Sequence, residues 1–219
     1  MKTQSDSYAS LTNRYDDTIT ARRWWSRLYL HTIWGIDYNE IARETIALLP
    51  TPLSGRVLEV PIGTAIFTAP YYLRNPHASI CGVDFSPEML GIAKARLASL
   101  SIQHVTLTQA DVAALPFPDA AFDCVLSMNG MQSFPDKEGA LREMGRVLRP
   151  GGTLCGSFYV RGHRPLADRI ARGPLQRKGI FFGPHWTFEE ATSQLEKCVG
   201  PIKSVARKKS IIVFSCTKR

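Results

Sequence analysis

The sequence predicts an α/β protein built on a doubly wound, mostly parallel sheet. Three observations predict it. Apolar runs at 56–60, 79–83, 104–108, 122–127 and 153–160 are separated by helical stretches, and right-handed crossovers turn such a repeat into a parallel sheet covered on both faces. The first four runs each close on polar residues, Glu59, Asp84, Asp111 and the segment from Ser127 to Asn129, so strands distant in sequence deliver polar groups to one sheet edge. Two alternating runs at 202–207 and 211–217, joined at Lys208-Lys209, read as a closing antiparallel hairpin.

Taken in order, residues 11–48 read as helical. Trp25, Leu28, Tyr29, Thr32, Ile33 and Ile36 share a face at three- and four-residue steps. Gly35 breaks the helix, and the pattern resumes from 38 to 49 with Ile41, Ile46 and Leu49 until Pro50 stops it. A segment this aromatic must cover something, either the main core or a ligand pocket, with Tyr15, Trp24 and Trp25 as candidate walls. Residues 1–50 are therefore expected to be an N-terminal helical cap or lid. Residues 51–219 are expected to be the α/β core, with an insertion at about 161–186.

The first strand, 56–60, leads through Gly63-Thr64-Ala65 into a helix near 64–73, where Pro70 demands a kink or a late start. The donors of such a turn suit an anionic group of a ligand. After the second strand, Ser86 is a natural cap and Pro87 a natural first residue for a helix to about Ser99 that turns Met89, Ile92, Ala93 and Leu97 inward. Pro135-Asp136 caps a helix to Leu148, and Arg149-Pro150-Gly151-Gly152 fits a type II turn before the fifth strand. A basic stretch punctuated by glycine and proline, 161–186, precedes Thr187-Phe-Glu-Glu190, a capping box opening a helix to Cys198.

A chain of 219 residues suits one domain with an appended element, and its 44% apolar and 21% charged residues are ordinary for a globular protein. The cysteines at 81, 124, 155, 198 and 216 include no C-x-x-C pair and read as buried thiols of a reducing compartment. With no apolar signal core at the N-terminus, the expectation is a cytoplasmic protein. The net charge of +8 is densest between Arg161 and Lys178, where nucleic acid, an anionic membrane surface, an acidic substrate or plain solvated surface would each account for it.

Four stretches carry a family resemblance: Glu59-Val-Pro-Ile-Gly-Thr-Ala65, Gly82-Val-Asp84-Phe-Ser-Pro-Glu-Met-Leu90, Ala110-Asp111-Val-Ala-Ala-Leu-Pro-Phe117 and Arg146-Val-Leu-Arg-Pro-Gly-Gly152. In this order they resemble the motifs of class I S-adenosylmethionine-dependent methyltransferases, especially the small-molecule type 11 or ubiquinone/menaquinone-biosynthesis-like group. The resemblance implies a seven-stranded sheet of order 3-2-1-4-5-7-6 with a cofactor pocket at the strand ends. It implies that Glu59, beside Pro61 and Gly63, holds the methionine amino end, and that Asp84 takes the ribose hydroxyls with Phe85 and Met89 nearby. Asp111 and the Val112 N–H would take the adenine, the backbone at Ser127 and Met128 the amino acid part, and Tyr15 would close over the cofactor. The sequence departs from the family where three loop glycines are usual: Pro61, Gly63 and Ala65 stand there. That leaves room for a cofactor-binding protein without turnover.

The resemblance implies transfer of a methyl group to O, N or C of a small, hydrophobic or aromatic acceptor, with S-adenosylhomocysteine as product and no metal. Phe134, Phe181, Phe182 and Trp186 would wall the acceptor. Were the acceptor a hydroxyl, His163 or His185 is the candidate base, with His31 a third. The alternative acceptor is RNA or another polyanion, met by Arg161, Arg164, Arg169, Arg172, Arg177 and Lys178.

Overall fold

The computed structural model describes Asp16, Thr20 and residues 30–219. Tyr15, Trp24 and Trp25 lie outside the described residues. A π-helical turn at Leu30–Trp34 ends at Gly35, whose φ of +68° suits a residue without a side chain. Helix α1 follows at Tyr38–Ile46, capped by Asp37, whose carboxylate accepts from the Asn39 N–H at 2.8 Å. It is three residues shorter than the sequence predicts, although Leu49 is still buried beyond its end.

Strands β1 (Gly55–Glu59), β2 (Ala78–Asp84), β3 (Val105–Gln109) and β4 (Phe122–Met128) are parallel to one another. Strand β5 (Leu148–Tyr159) continues that direction, and β7 (Ile211–Thr217) runs antiparallel between it and β6 (Ile202–Lys208). The order is 3-2-1-4-5-7-6. Consecutive residues feed opposite layers, as a sheet covered on both faces requires. Leu58, Val83 and Val125 pack under helices α4 (Lys137–Val147) and α6 (Phe188–Cys198), while Val57, Ile80, Cys124 and Leu126 pack on the side of α1 and the short helix α2 (Ala69–Leu73).

Helix starts follow their caps. Ser86 accepts from the Met89 N–H and opens α3 (Pro87–Ser99), Asp136 accepts from Gly139 and opens α4, and Thr187 and Glu190 exchange both bonds of a capping box at α6. Pro70 sits in the first turn of α2, so that helix starts late and is only five residues long. One expectation is corrected. The Arg149–Gly152 turn is absorbed into β5, because Leu148 already pairs with Phe122 and the Gly151 N–H bonds Lys218 O; Gly151 keeps the positive φ, +73°, that the turn signal anticipated. Within 161–186 the chain forms α5 (Pro165–Ile170) and a π-helical turn at Ala171–Leu175. All five cysteines are free thiols.

Candidate active site

The first loop is built by close approach rather than by glycine freedom. A Cβ on Gly130 would lie 2.3 Å from the Pro61 ring, and one on Gly82 would lie 2.3 Å from Ile62 Cδ1. Pro61 and Ile62 therefore fill space that two glycines leave open on β2 and after β4. Gly63 (φ +56°) and Ala65 (φ +54°) carry the loop round. Its donors turn inward: the Gly63 N–H donates to Asp84 Oδ2 at 2.8 Å, the Ile62 N–H to Val83 O and the Ala65 N–H to Ile62 O. The expectation that these donors await a ligand anion is corrected, because the protein's own carboxylate takes the Gly63 N–H and α2 begins only at Ala69.

Beyond the carboxyl ends of β1, β2 and β4, where the strand order reverses, lies a cavity of about 210 Å³. Glu59, Pro61, Gly63, Asp84, Phe85, Met89, Asp111, Val112 and Met128 all line it, which brings nine of the residues expected at a cofactor to one wall. Ser127 does not line it. It is still paired in β4, opposite Gly156, with its hydroxyl buried and unpartnered, and the chain reaches the cavity only at Met128 and Asn129. Tyr38, Asn129, Gln132, Ser133, Phe134 and Phe181 form the remaining end. Sequence reasoning missed Tyr38 and Gln132 here, since a residue starting a helix and one in a short 3₁₀ turn carry no local signal of what they face.

The electrostatics of the wall are one-sided. Glu59 is 1% exposed and accepts only from hydroxyls, Thr68 Oγ1 at 3.0 Å and Tyr72 Oη at 2.8 Å. Burial raises its carboxyl to about 8, and the neighbouring Asp84 pushes the same way. Asp84 is 9% exposed and accepts from the Gly63 and Ser86 N–H groups; burial raises it to about 6. Among the described residues neither carboxyl has a cationic partner. Asp111 is exposed at the rim, where Oδ1 accepts from the Ala113 N–H at 2.9 Å and Val112 tucks beneath.

The histidine candidates are elsewhere. His163 stands beside the Arg207 guanidinium, in a cleft formed with Asp37, Glu40 and Lys209. His185 is buried with its ring edge-on to Tyr159 and Phe181, and burial, reinforced by Lys137 and Arg172, holds it down at about 4. Phe181 stands on the cavity wall and His185 does not. The side chain of His31 lies outside what is described. Phe134 and Phe181 wall the cavity as expected, whereas Phe182 and Trp186 do not.

Comparison with known proteins agrees with this geometry. The family model described as a methyltransferase domain matches residues 57–152, the stretch that holds the acidic wall. The fold is that of a class I methyltransferase. The ubiquinone/menaquinone biosynthesis C-methyltransferase UbiE of Pasteurella multocida is 33% identical over 145 residues, 65% of this chain and 50% of that protein. A demethylmenaquinone methyltransferase of Thermus thermophilus is 42% identical over 99 residues, 45% of this chain and 44% of that protein. The chain thus spans about half the length of the curated relatives it matches. Among solved structures, the methyltransferase in complex with the Haloferax volcanii Trm112 activator superimposes with a TM-score of 0.74 over 99% of both chains at 16% identity. A Thermotoga maritima methyltransferase does so with 0.65 over 92% of this chain and 98% of its own at 20% identity. The chain shares the fold of these neighbours, and in its own first loop Pro61 and Ile62 fill the space beside Gly130 and Gly82.

Proposed function

We propose that the chain transfers a methyl group from S-adenosylmethionine to a small, hydrophobic or aromatic acceptor. The observation that carries this is the pair of buried carboxyls, Glu59 and Asp84, facing one cavity without a cation. Burying a carboxylate unpaired is costly, so such a wall suits a ligand that brings positive charge and hydroxyl donors. S-adenosylmethionine brings an ammonium, a sulfonium and two ribose hydroxyls. Glu59 would face the ammonium end, Asp84 would accept from the ribose, and Asp111 with the Val112 N–H would hold the adenine between Phe85 and Met89.

The cofactor supplies an electrophilic methyl group whose leaving thioether is neutral, so positioning and exclusion of water dominate catalysis. Phe134, Phe181 and Ile180 offer the acceptor an apolar wall, and Tyr38, Asn129, Gln132 and Ser133 offer it polar contacts. Gln132 is held for this: its Nε2 donates to Asn129 O at 2.7 Å, and its Oε1 accepts from the Tyr159 N–H at 3.3 Å. With no histidine on the wall among the described residues, His163→Ala is expected to leave turnover unchanged. The curated relatives are named for quinone substrates, which fits an aromatic, lipophilic acceptor. A polyanionic acceptor has less support, because Arg161 is engaged by Glu190 and the His185 carbonyl, and Arg164 by the Thr32 and Ile33 carbonyls.

Calorimetric titration of S-adenosylmethionine and S-adenosylhomocysteine tests the site, with Asp84→Ala as control. Micromolar binding that the substitution abolishes supports it and opens an acceptor screen with labelled cofactor. Absence of binding by either ligand would overturn it. Binding without turnover on any hydroxylated or amino aromatic acceptor would favour a cofactor-binding protein.

A further inference from the structure

We propose that the exposed face of residues 165–178 docks on an anionic lipid bilayer and opens the cavity towards it. The inference rests on the reading of the site as one for a hydrophobic acceptor. Between positions 161 and 178 the sequence holds six Lys or Arg against one acid, Asp168. That acid is turned inward, where it accepts from the Tyr159 hydroxyl at 2.5 Å and the Gly162 N–H at 2.9 Å. The outer face is therefore cationic. Arg169, Arg172, Arg177 and Lys178 are all exposed, and among the described residues none is in an ion pair. Arg172 and Arg177 each donate through Nε to a carbonyl one turn back, at 3.4 Å, which leaves their charge uncompensated, whereas Arg161, paired with Glu190, lies before this face begins.

Apolar surface accompanies the charge. Leu166 is 47% exposed on α5, one of four large hydrophobic side chains so exposed among the described residues. An exposed leucine set among arginines, over half-buried Ile170 and Leu175, is the composition of an interfacial segment, which combines apolar insertion with attraction to anionic headgroups.

The same segment reaches the cavity. The chain folds back after Leu175, whose carbonyl accepts from both the Ile180 N–H at 3.0 Å and the Phe181 N–H at 3.4 Å, with Gly179 at φ +66° turning the corner. Arg177 and Lys178 thus form the tip of a turn whose base, Ile180 and Phe181, is cavity wall. A bilayer held at that tip would present a lipophilic acceptor to the apolar end of the site without passage through water. A polynucleotide would use the cationic face but not Leu166 or its continuity with the apolar wall.

Sedimentation with vesicles tests this. The chain is mixed with vesicles of phosphatidylcholine alone, or of equal parts phosphatidylcholine and phosphatidylglycerol, at low and high salt. Binding to the anionic vesicles only, released by salt, is expected. Joint replacement of Arg169, Arg172, Arg177 and Lys178 by Gln should lower partitioning at least about tenfold, and Leu166→Ser about threefold. Equal binding to both vesicles, a quadruple variant that sediments like the parent, or capture of RNA with vesicles ignored would each overturn the proposal. Calorimetry on the same variants separates the two readings. Unchanged cofactor binding shows that the variants are folded, whereas a parent chain that binds the cofactor but no anionic vesicles overturns the docking surface alone. Vesicle binding without cofactor binding leaves the surface standing and removes the catalytic reading.

Discussion

Two buried groups of ionisable side chains lie close to the cavity and differ in how their signs combine. In the first, Glu59 and Asp84 accept hydrogen bonds from hydroxyls and backbone N–H groups but meet no cation. In the second, the Lys137 ammonium, 6% exposed, donates to the Phe134 and Phe182 carbonyls, and Asp168 takes the Tyr159 hydroxyl and the Gly162 N–H. The second group is an internal tie: it fastens the start of α4 and the end of β5 to the 161–186 segment. Among the described residues neither group holds an ion pair, but the second sets one cation and one anion against the same segment, whereas the first sets two carboxyls of one sign on one cavity. Burial alone therefore does not mark a site; two buried groups of like sign facing one cavity suit a ligand of the opposite sign.

The largest expected effect separates the two carboxylates. Asp84→Asn should weaken S-adenosylmethionine binding about 100-fold, near 3 kcal/mol, through lost charge-assisted bonds to the ribose. Asp168→Asn should change it less than about threefold. Calorimetry on both variants decides, and equal losses would erase the distinction between site and tie.

The tie should show itself in stability instead. Lys137→Met orphans two carbonyls in a buried setting, so urea unfolding should reveal a loss of about 2 kcal/mol with cofactor affinity nearly intact. A variant as stable as the parent would mean that the two carbonyls find other donors and that Lys137 fastens nothing.

The uncompensated pair predicts a pH dependence whose sign can be worked out. Burial lifts Glu59 from 4.5 to about 8, so above 4.5 the unfolded chain has released a proton that the folded chain keeps, and stability falls as pH rises to about 8. Asp84 acts in the same direction, but only up to about 6. His185, lowered from 6.5 to about 4, opposes both below 6.5, and Lys137, lowered from 10.5 to about 8, makes stability rise above 8. Between 6.5 and 8 Glu59 titrates with least interference, with a slope of at most about 1.4 kcal/mol per pH unit. Thermal unfolding across that window should show the decline, and both Glu59→Gln and saturating S-adenosylmethionine, which holds Glu59 ionised, should flatten it. A decline that persists in the variant would place the proton elsewhere.

What the sequence disclosed follows from range. Ser86, Asp136 and Thr187 cap helices through bonds spanning three residues, and Glu59, Asp84 and Asp111 announce strand ends by breaking apolar runs, so the parallel sheet and the acidic wall were legible, while the strand order was legible only through the family resemblance. Lys137 looked like any charge at a helix start; only the Phe182 carbonyl, 45 residues on, makes it internal. The Thr68 and Tyr72 hydroxyls reach Glu59 only because α2 starts late and turns that face inward. His163 and His185 followed β5 in sequence, yet the fold of 161–186 carries one to Arg207 and the other behind Phe181.

The smallest effect tests how the acidic wall tolerates a loop without its usual glycines. Ala65 holds φ +54°, which for a residue with a Cβ costs about 1 kcal/mol. Its methyl is 2% exposed in a cluster with Ile62, Ala69, Ala93 and Leu97, and burying such a group returns about 0.8 kcal/mol. Ala65→Gly relieves the strain, loses the methyl contact and adds freedom to the unfolded chain, so the terms nearly cancel and stability should move by less than about 0.5 kcal/mol. Gly63 differs. At φ +56° nothing lies within 4 Å of an added Cβ, so Gly63→Ala meets the strain with no contact to offset it and should cost about 1 kcal/mol. Urea unfolding of the two variants side by side decides the matter. If Ala65→Gly proves the more damaging, the methyl rather than the backbone shapes the loop, and the packing of Ile62 and Ala65 is what keeps Asp84 aimed at the cavity.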